Sequence, residues 1–280
     1  MSAAAAAGAI VRAPAKINLI LRVAPPRPDG YHPVLSLMAR VGIADTLALR
    51  PAPDIRVSCA ALPAGDTLVT RALALLCDAA GHDGGFHVRI DKRIPVGAGL
   101  GGGSSDAAAA LAAANDLLGA PMTPRDLLDI AGAIGSDVAF FLGPAAQIAE
   151  GRGERCRPAP PLPPAAVAIA QPADPLATGD VYAAYRGVEH LPAALPVART
   201  LAELAAVIEN DLQPVVDRLV PGCRLLREGL LDRGALAAAV SGSGSAVFGL
   251  FATDEAARDA IVELPGAAWT TATRLAVTTP

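Results

Sequence analysis

Pro95-Val-Gly-Ala-Gly-Leu-Gly-Gly-Gly-Ser-Ser-Asp106 runs straight into an alanine-rich segment that continues through Asn115 to Leu118, where Gly119 and Pro121 stop it. Gly97, Gly99, Gly101, Gly102 and Gly103 fall within seven residues. Glycine carries no side-chain bulk and tolerates unusual backbone angles, so neighbouring amides can converge on an anion. Ser104, Ser105 and Asp106 open the following helix, whose first N–H groups are unpaired and carry partial positive charge. A glycine-rich loop feeding a helix N-terminus predicts a phosphate site. No Gly-Lys-[Ser/Thr] follows, so this is not a P-loop. No acidic residue closes a strand about 20 residues on, as dinucleotide binding would want.

Upstream of this loop the pattern is mostly strand. Residues 10–24 alternate and are rich in Ile, Val and Leu. Pro25, Pro26, Pro28, Asp29 and Gly30 then predict a turn. Residues 41–50, 55–59 and 86–90 read as further strands, with a turn at 51–53. A helix is expected over 67–80, with Leu73, Leu76 and Cys77 on one face. Downstream, Thr123 caps a helix running to about Ile134, and Gly135–Gly143 forms a turn into an apolar segment. Proline-rich residues 158–164 are the expected seam between two domains, 1–157 and 158–280. Beyond it a strand is expected at 167–170, helices near 180–186, 198–209, 212–219, 222–232 and 254–263, and strands at 246–251 and 269–277. Strands and helices mix without strict alternation, which predicts an α+β fold.

Composition narrows the function. Hydrophobic residues make up 52% of the 280 and charged residues 18%, enough for two cores and too apolar for a disordered chain. A net charge of −4 argues against a nucleic-acid-binding module. No apolar run approaches the roughly 18–20 residues of a membrane helix, and the start lacks the basic segment of a cleaved signal peptide. Cys59, Cys77, Cys156 and Cys223 match no metal or redox spacing, so reduced thiols in a cytoplasmic protein are expected. Of 23 basic residues only Lys16 and Lys92 are lysines, leaving 21 arginines. A lysine that persists in such a chain suggests a need for a compact, movable ammonium.

Pro95-x-Gly-Ala-Gly-Leu-Gly-Gly-Gly-Ser-Ser-Asp-Ala-Ala resembles the ATP-phosphate motif of the GHMP kinase superfamily. The triple glycine with Ser-Ser-Asp-Ala-Ala is similar to the branch acting on a CDP-linked methylerythritol. The resemblance implies a ribosomal-S5-domain-2-like N-terminal domain and a ferredoxin-like C-terminal domain. It implies ATP held by Pro95, Gly97, Gly99, Leu100, Gly101, Gly102, Gly103, Ser104 and Ser105, with Mg²⁺ touched by Ser104 or Ser105. Pro14-Ala-Lys-Ile-Asn-Leu19 and Gly135-Ser-Asp-Val-Ala-Phe-Phe141 match two further motifs, which implies that Lys16 and Asp137 meet at the acceptor hydroxyl. Ala139 stands where the family often has Pro. Asn18 lies two residues from Lys16, so strand alternation puts both on one face, where Asn18 can hold the substrate.

Arg27-Pro-Asp-Gly-Tyr-His32 is a turn sequence ending in two residue types that are scarce in this chain. By resemblance, Tyr31 stacks on a cytosine and His32 hydrogen-bonds its polar edge. Tyr182 would supply a second aromatic face, with Thr178 a polar contact near the acceptor; Ala177 replaces a commoner Ser. Ser241-Gly-Ser-Gly-Ser245 is placed beside the phosphate loop, with Gly242 close to substrate. Gly151–Glu154 and Glu209–Leu212 also match, as mainly structural segments. The expectation is a kinase whose small-molecule acceptor is the 2-hydroxyl of a CDP-linked methylerythritol. The alternatives are a related kinase for homoserine, mevalonate or galactose, or a non-catalytic nucleotide-binding or ribosome-associated module.

Overall fold

The computed structural model describes residues 8–61, 67–187 and 190–276. In chain order the strands are β1 (Ala9–Val23), β2 (Val34–Ala52), β3 (Arg56–Cys59), β4 (Gly85–Asp91), β5 (Ala146–Gly151), β6 (Arg155–Pro158), β7 (Ala166–Gln171), β8 (Glu209–Asn210), β9 (Ala237–Val240), β10 (Val247–Phe251) and β11 (Trp269–Arg274). The helices are α1 (Leu68–Ala80), α2 (Gly102–Leu117), α3 (Pro124–Ile134), α4 (Val138–Leu142), α5 (Thr178–Ala184), α6 (Leu201–Ala206), α7 (Gln213–Leu219), α8 (Pro221–Asp232) and α9 (Asp254–Ala260). The mixed order bears out the α+β expectation. Two compact units emerge, each assembled from separate stretches of chain.

The first unit takes the segment ending at Ala15, Ala44–Ile94 and Gly102–Gly143. The second half of β2 pairs antiparallel with β4, from Thr46 opposite Asp91 to Ala52 opposite Gly85. β3 joins β4 in parallel. Phe86, Val88 and Ile90 are buried and the residues between them face outward, the two-residue period of a half-covered strand. The turn expected at 51–53 begins later than the prolines suggest: β2 runs through Pro51, which sits opposite Phe86 near the strand's end. α1 packs on β3 and β4 and against α2 and α3, and α4 packs against α2 and α3. α1 is capped by Thr67, whose side chain accepts from the Thr70 amide, and buries Val69, Ala72, Leu73, Leu76 and Cys77. α3 has a complete capping box between Thr123 and Asp126. α2 is buried around most of its circumference, and alanine is the residue that lets neighbouring elements approach it on several sides.

The second unit takes Lys16–Ile43, Pro95–Gly101 and the chain from Pro144 on. β8 pairs in parallel with β1 at Ile20 and Leu21. The first half of β2 pairs antiparallel with β5, and β5 with β6. A separate four-stranded antiparallel sheet has the order β11-β7-β10-β9. Numbered along the chain those strands read 4-1-3-2, and α8 and α9 pack on the sheet. That is the ferredoxin-like arrangement anticipated for the C-terminal half. α8 buries Cys223, Leu226 and Leu230 on one stripe. Each such leucine contributes about 1.5–3 kcal/mol by leaving water. The helix expected over 198–209 is shorter, running from Leu201 to Ala206 behind the Thr200 cap, and Glu209–Asn210 instead pairs with β1 as β8.

Candidate active site

The glycine loop is fixed by its backbone. The Leu100 carbonyl accepts from the Lys16 amide at 2.9 Å, and the Ala98 carbonyl from the Ala246 amide at 3.0 Å. The Gly99 carbonyl accepts from the Ser241 hydroxyl at 3.0 Å. A Cβ on Gly99 would lie 2.2 Å from the Ser241 carbonyl oxygen, and its φ is +77°, so no other residue fits. One boundary differs from the sequence reading. Gly102 and Gly103 are the first residues of α2 rather than the end of the loop. Close packing outweighs their poor helix propensity: a Cβ on Gly102 would meet Ile94 and Lys92 at 3.0 Å. Ser104 is half-buried. Ser105 is 1% exposed, and its hydroxyl has no hydrogen-bond partner among the described residues.

Lys16 and Asn18 share a face of β1, as alternation predicts, and both are 4% exposed. The Lys16 ammonium donates to Asn18 Oδ1 at 2.6 Å. Asn18 Nδ2 donates to Ser36 Oγ at 2.8 Å, and that hydroxyl donates to the Ile20 carbonyl. Gly242, with φ +58°, backs onto the same spot. A Cβ there would lie 3.3 Å from each of Lys16 Nζ, Asn18 Oδ1 and the Gly99 carbonyl. Lys16, Asn18, the loop at Gly99 and the Ser241–Ser245 segment therefore converge within the second unit. Asp137 belongs to the first unit. It precedes α4, and its side chain makes no capping hydrogen bond to that helix.

The cytosine-pocket residues fall in the second unit too. His32 Nδ1 is 2.8 Å from the Ala24 carbonyl, which can only accept. That places a proton on Nδ1 and leaves Nε2 of the neutral ring as an acceptor. The His32 ring lies 5.3 Å from Tyr182 and 6.1 Å from Tyr185. Tyr31 is 53% exposed, with the Arg152 guanidinium 5.0 Å from its ring centre. Its amide donates to Asp29, which also pairs with Arg27. Thr178 opens α5, and its hydroxyl is 2.8 Å from that of Ser243.

Several contributors escaped the sequence reading. Tyr185 completes the aromatic group and donates to the Val23 carbonyl. Arg152 reaches Tyr31 from a turn read as mainly structural. Asn210 donates to the carbonyls of Val240 and Gly242, each at 2.8 Å, and so holds the segment behind Lys16. Its neighbours Glu209 and Asp211 pair with Arg22, as a structural reading anticipates. Lys92 lies between two buried carboxylates. It is 2.5 Å from Asp45 and 2.9 Å from Asp106. Burial pushes Asp106 up to about 7, against the pull of Lys92 and with Asp45 adding to the rise. Burial alone would lower Lys92, but the two carboxylates outweigh it and hold it above the usual lysine value. Cys223 is pushed up to about 12 by burial, so its thiol is inert. Among the described residues, no helix is long and apolar enough to cross a membrane.

Comparison with known proteins agrees with this geometry. Residues 67–143 match the GHMP kinases N terminal domain, and residues 193–269 match the GHMP kinases C terminal domain. A 4-diphosphocytidyl-2-C-methyl-D-erythritol kinase of Pelotomaculum thermopropionicum is 41% identical over 87% of this chain and 89% of that protein. One from Paramagnetospirillum magneticum is 38% identical over 92% and 95%. A crystal structure of 4-(cytidine 5'-diphospho)-2C-methyl-D-erythritol kinase superposes with a TM-score of 0.83 at 38% identity, covering 95% of this chain and 99% of the other. A homoserine kinase from Cytophaga hutchinsonii, at 20% identity and a TM-score of 0.74, shares the fold.

Proposed function

The chain belongs to the 4-diphosphocytidyl-2-C-methyl-D-erythritol kinases, a branch of the GHMP kinases, and from that premise we propose which residues carry its reaction. The enzyme is an ATP-dependent small-molecule kinase. It moves the γ-phosphate of ATP to the 2-hydroxyl of 4-diphosphocytidyl-2-C-methyl-D-erythritol, a step in non-mevalonate isoprenoid precursor synthesis. The donor phosphates lie on Gly97, Gly99, Leu100, Gly101 and the start of α2, where Gly102, Gly103, Ser104 and Ser105 present N–H and hydroxyl groups. Pro95 sets the entry of that loop. Asp137 accepts the proton of the acceptor hydroxyl and aims its oxygen in line with the γ-phosphate. Lys16 places positive charge beside the developing alkoxide, held by Asn18.

The buried, unpartnered Ser105 hydroxyl fits a ligand of a hard cation. Ser105, with Ser104 beside it, would help hold Mg²⁺ there, and the ion would supply positive charge to the donor phosphates. On the acceptor side, Tyr182 and Tyr31 offer aromatic faces to a cytosine, and His32 Nε2 accepts from its exocyclic amine. Thr178 and Gly242 lie beside the sugar-alcohol end. The two family matches fall on either side of residues 158–164, which supports an ATP-binding part at 1–157 and a substrate-side part at 158–280.

One observation carries this reading: Lys16 Nζ, Asn18 Oδ1 and the Gly99 carbonyl oxygen each lie 3.3 Å from where a Cβ on Gly242 would be. The test is ADP release with 4-diphosphocytidyl-2-C-methyl-D-erythritol, CMP, mevalonate and homoserine as acceptors. Turnover confined to the first is expected. Turnover on mevalonate or homoserine alone would overturn the acceptor assignment.

A further inference from the structure

Lys92 plays no part in the chemistry above, yet it is one of only two lysines among 23 basic residues. Its side chain is 6% exposed, and its carboxylate partners Asp45 and Asp106 are 0% and 2% exposed. Burying three ionisable groups is costly unless each has a use for the others. Asp45 uses its second oxygen for the backbone amides of Arg93 and Ile94, at 2.6 and 2.9 Å. It thereby pins the segment that follows β4. Lys92 carries the connection from Asp45 to Asp106, one turn into α2. The other oxygen of Asp106 is buried with no hydrogen-bond partner among the described residues, so the ammonium is its tie to β2. Gly102 opens α2 against the same ammonium, 3.0 Å from where its Cβ would be.

We propose that Lys92 is a positioning residue for the donor nucleotide: it locks the first turns of α2 to β2, so that the amides of residues 102–105 hold their aim at the phosphates. The proposal rests on the phosphate-site reading above. It also accounts for the choice of residue. An ammonium fits between two carboxylates and a glycine Cα, whereas a planar guanidinium is too wide for that space.

The test is steady-state kinetics of the full chain, varying ATP and acceptor separately, with Tm recorded alongside. Lys92→Met should raise the KM for ATP by about tenfold or more, the size expected for losing a buried hydrogen bond to a charged group. The acceptor KM should stay within about twofold, well below that tenfold step. Lys92→Arg should not restore ATP affinity. Asp106→Asn keeps an oxygen that accepts from the ammonium and should stay close to wild type. An unchanged ATP KM in Lys92→Met, or an equal rise in both KM values with lowered Tm, would overturn the proposal. If Lys92→Met does not fold, Asp106→Leu cuts the same tie while leaving Lys92 paired with Asp45. A selective rise in ATP KM is again expected, and an unchanged one overturns the proposal. Gly101→Val separates the premise from the inference, because an unaltered ATP KM there would refute the phosphate-loop reading itself.

Discussion

The two lysines of this chain solve opposite problems. Lys92, in the first unit, is held by two carboxylates, and its charge is spent inside the protein on joining β2 to α2. Lys16, in the second unit, donates to the amide oxygen of Asn18, which fixes where the ammonium sits on β1. Both are nearly as buried, so exposure does not tell them apart. What separates them is what they are tied to: Lys92 to Asp45 and Asp106, and Lys16, beside the glycine loop, through Asn18 to Ser36. The first tie joins secondary-structure elements, while the second sets an ammonium beside the loop proposed to hold the phosphates.

The comparison breaks first at the chemical step. Asp137→Asn and Lys16→Met are each expected to lower kcat by about 10²–10⁴-fold, the range of acid–base and electrostatic terms. Equilibrium ATP binding should be close to unchanged. If Lys16→Met instead raised the ATP KM and spared kcat, the two lysines would have been assigned the wrong way round. Next in size, Tyr182→Ala should raise the acceptor KM roughly 5- to 100-fold with the ATP KM unmoved, matching about 1–3 kcal/mol per stacked base. A shift in ATP affinity there would remove the aromatic group from the acceptor side.

The smallest expected effect is a control within the first unit. Asp126 completes the cap of α3, and its carboxyl is held below its ordinary value by the Thr123 side chain and backbone. A group lowered on folding stabilises the fold above its unfolded pKa, and that benefit fades as pH falls through the folded value. Asp126→Asn should therefore lower Tm slightly at neutral pH, with the gap to wild type closing under acid. Both KM values should hold. A rise in ATP KM would show that any loosening of this unit disturbs the nucleotide, and the specific role of Lys92 would lose its support.

Legibility in the sequence followed the range of the interaction. The loop at 95–101, the Lys16 and Asn18 face and the Thr123 cap all rest on spacings of a few residues, and each was readable. The ferredoxin-like order came from resemblance, and the register of β10 against β7 and β9 agrees with it. What the sequence hid was long-range. Asp45 and Lys92 are 47 residues apart, and nothing local marks Asp45 as their meeting point. Asn210 was read only as part of a structural segment, because the carbonyls it binds at 240 and 242 belong to a distant turn. Gly102 looked like loop for the same reason. Its helical state depends on packing against Ile94 and Lys92, which propensity does not encode.

The burial of both lysines has a practical reach beyond catalysis. With every other cation an arginine, the folded molecule offers acylating reagents almost no primary amine apart from its terminus. Amine-directed cross-linkers and surface coupling would find little purchase on it. Conversely, the appearance of two newly labelled positions would report unfolding residue by residue, with one marker in each unit.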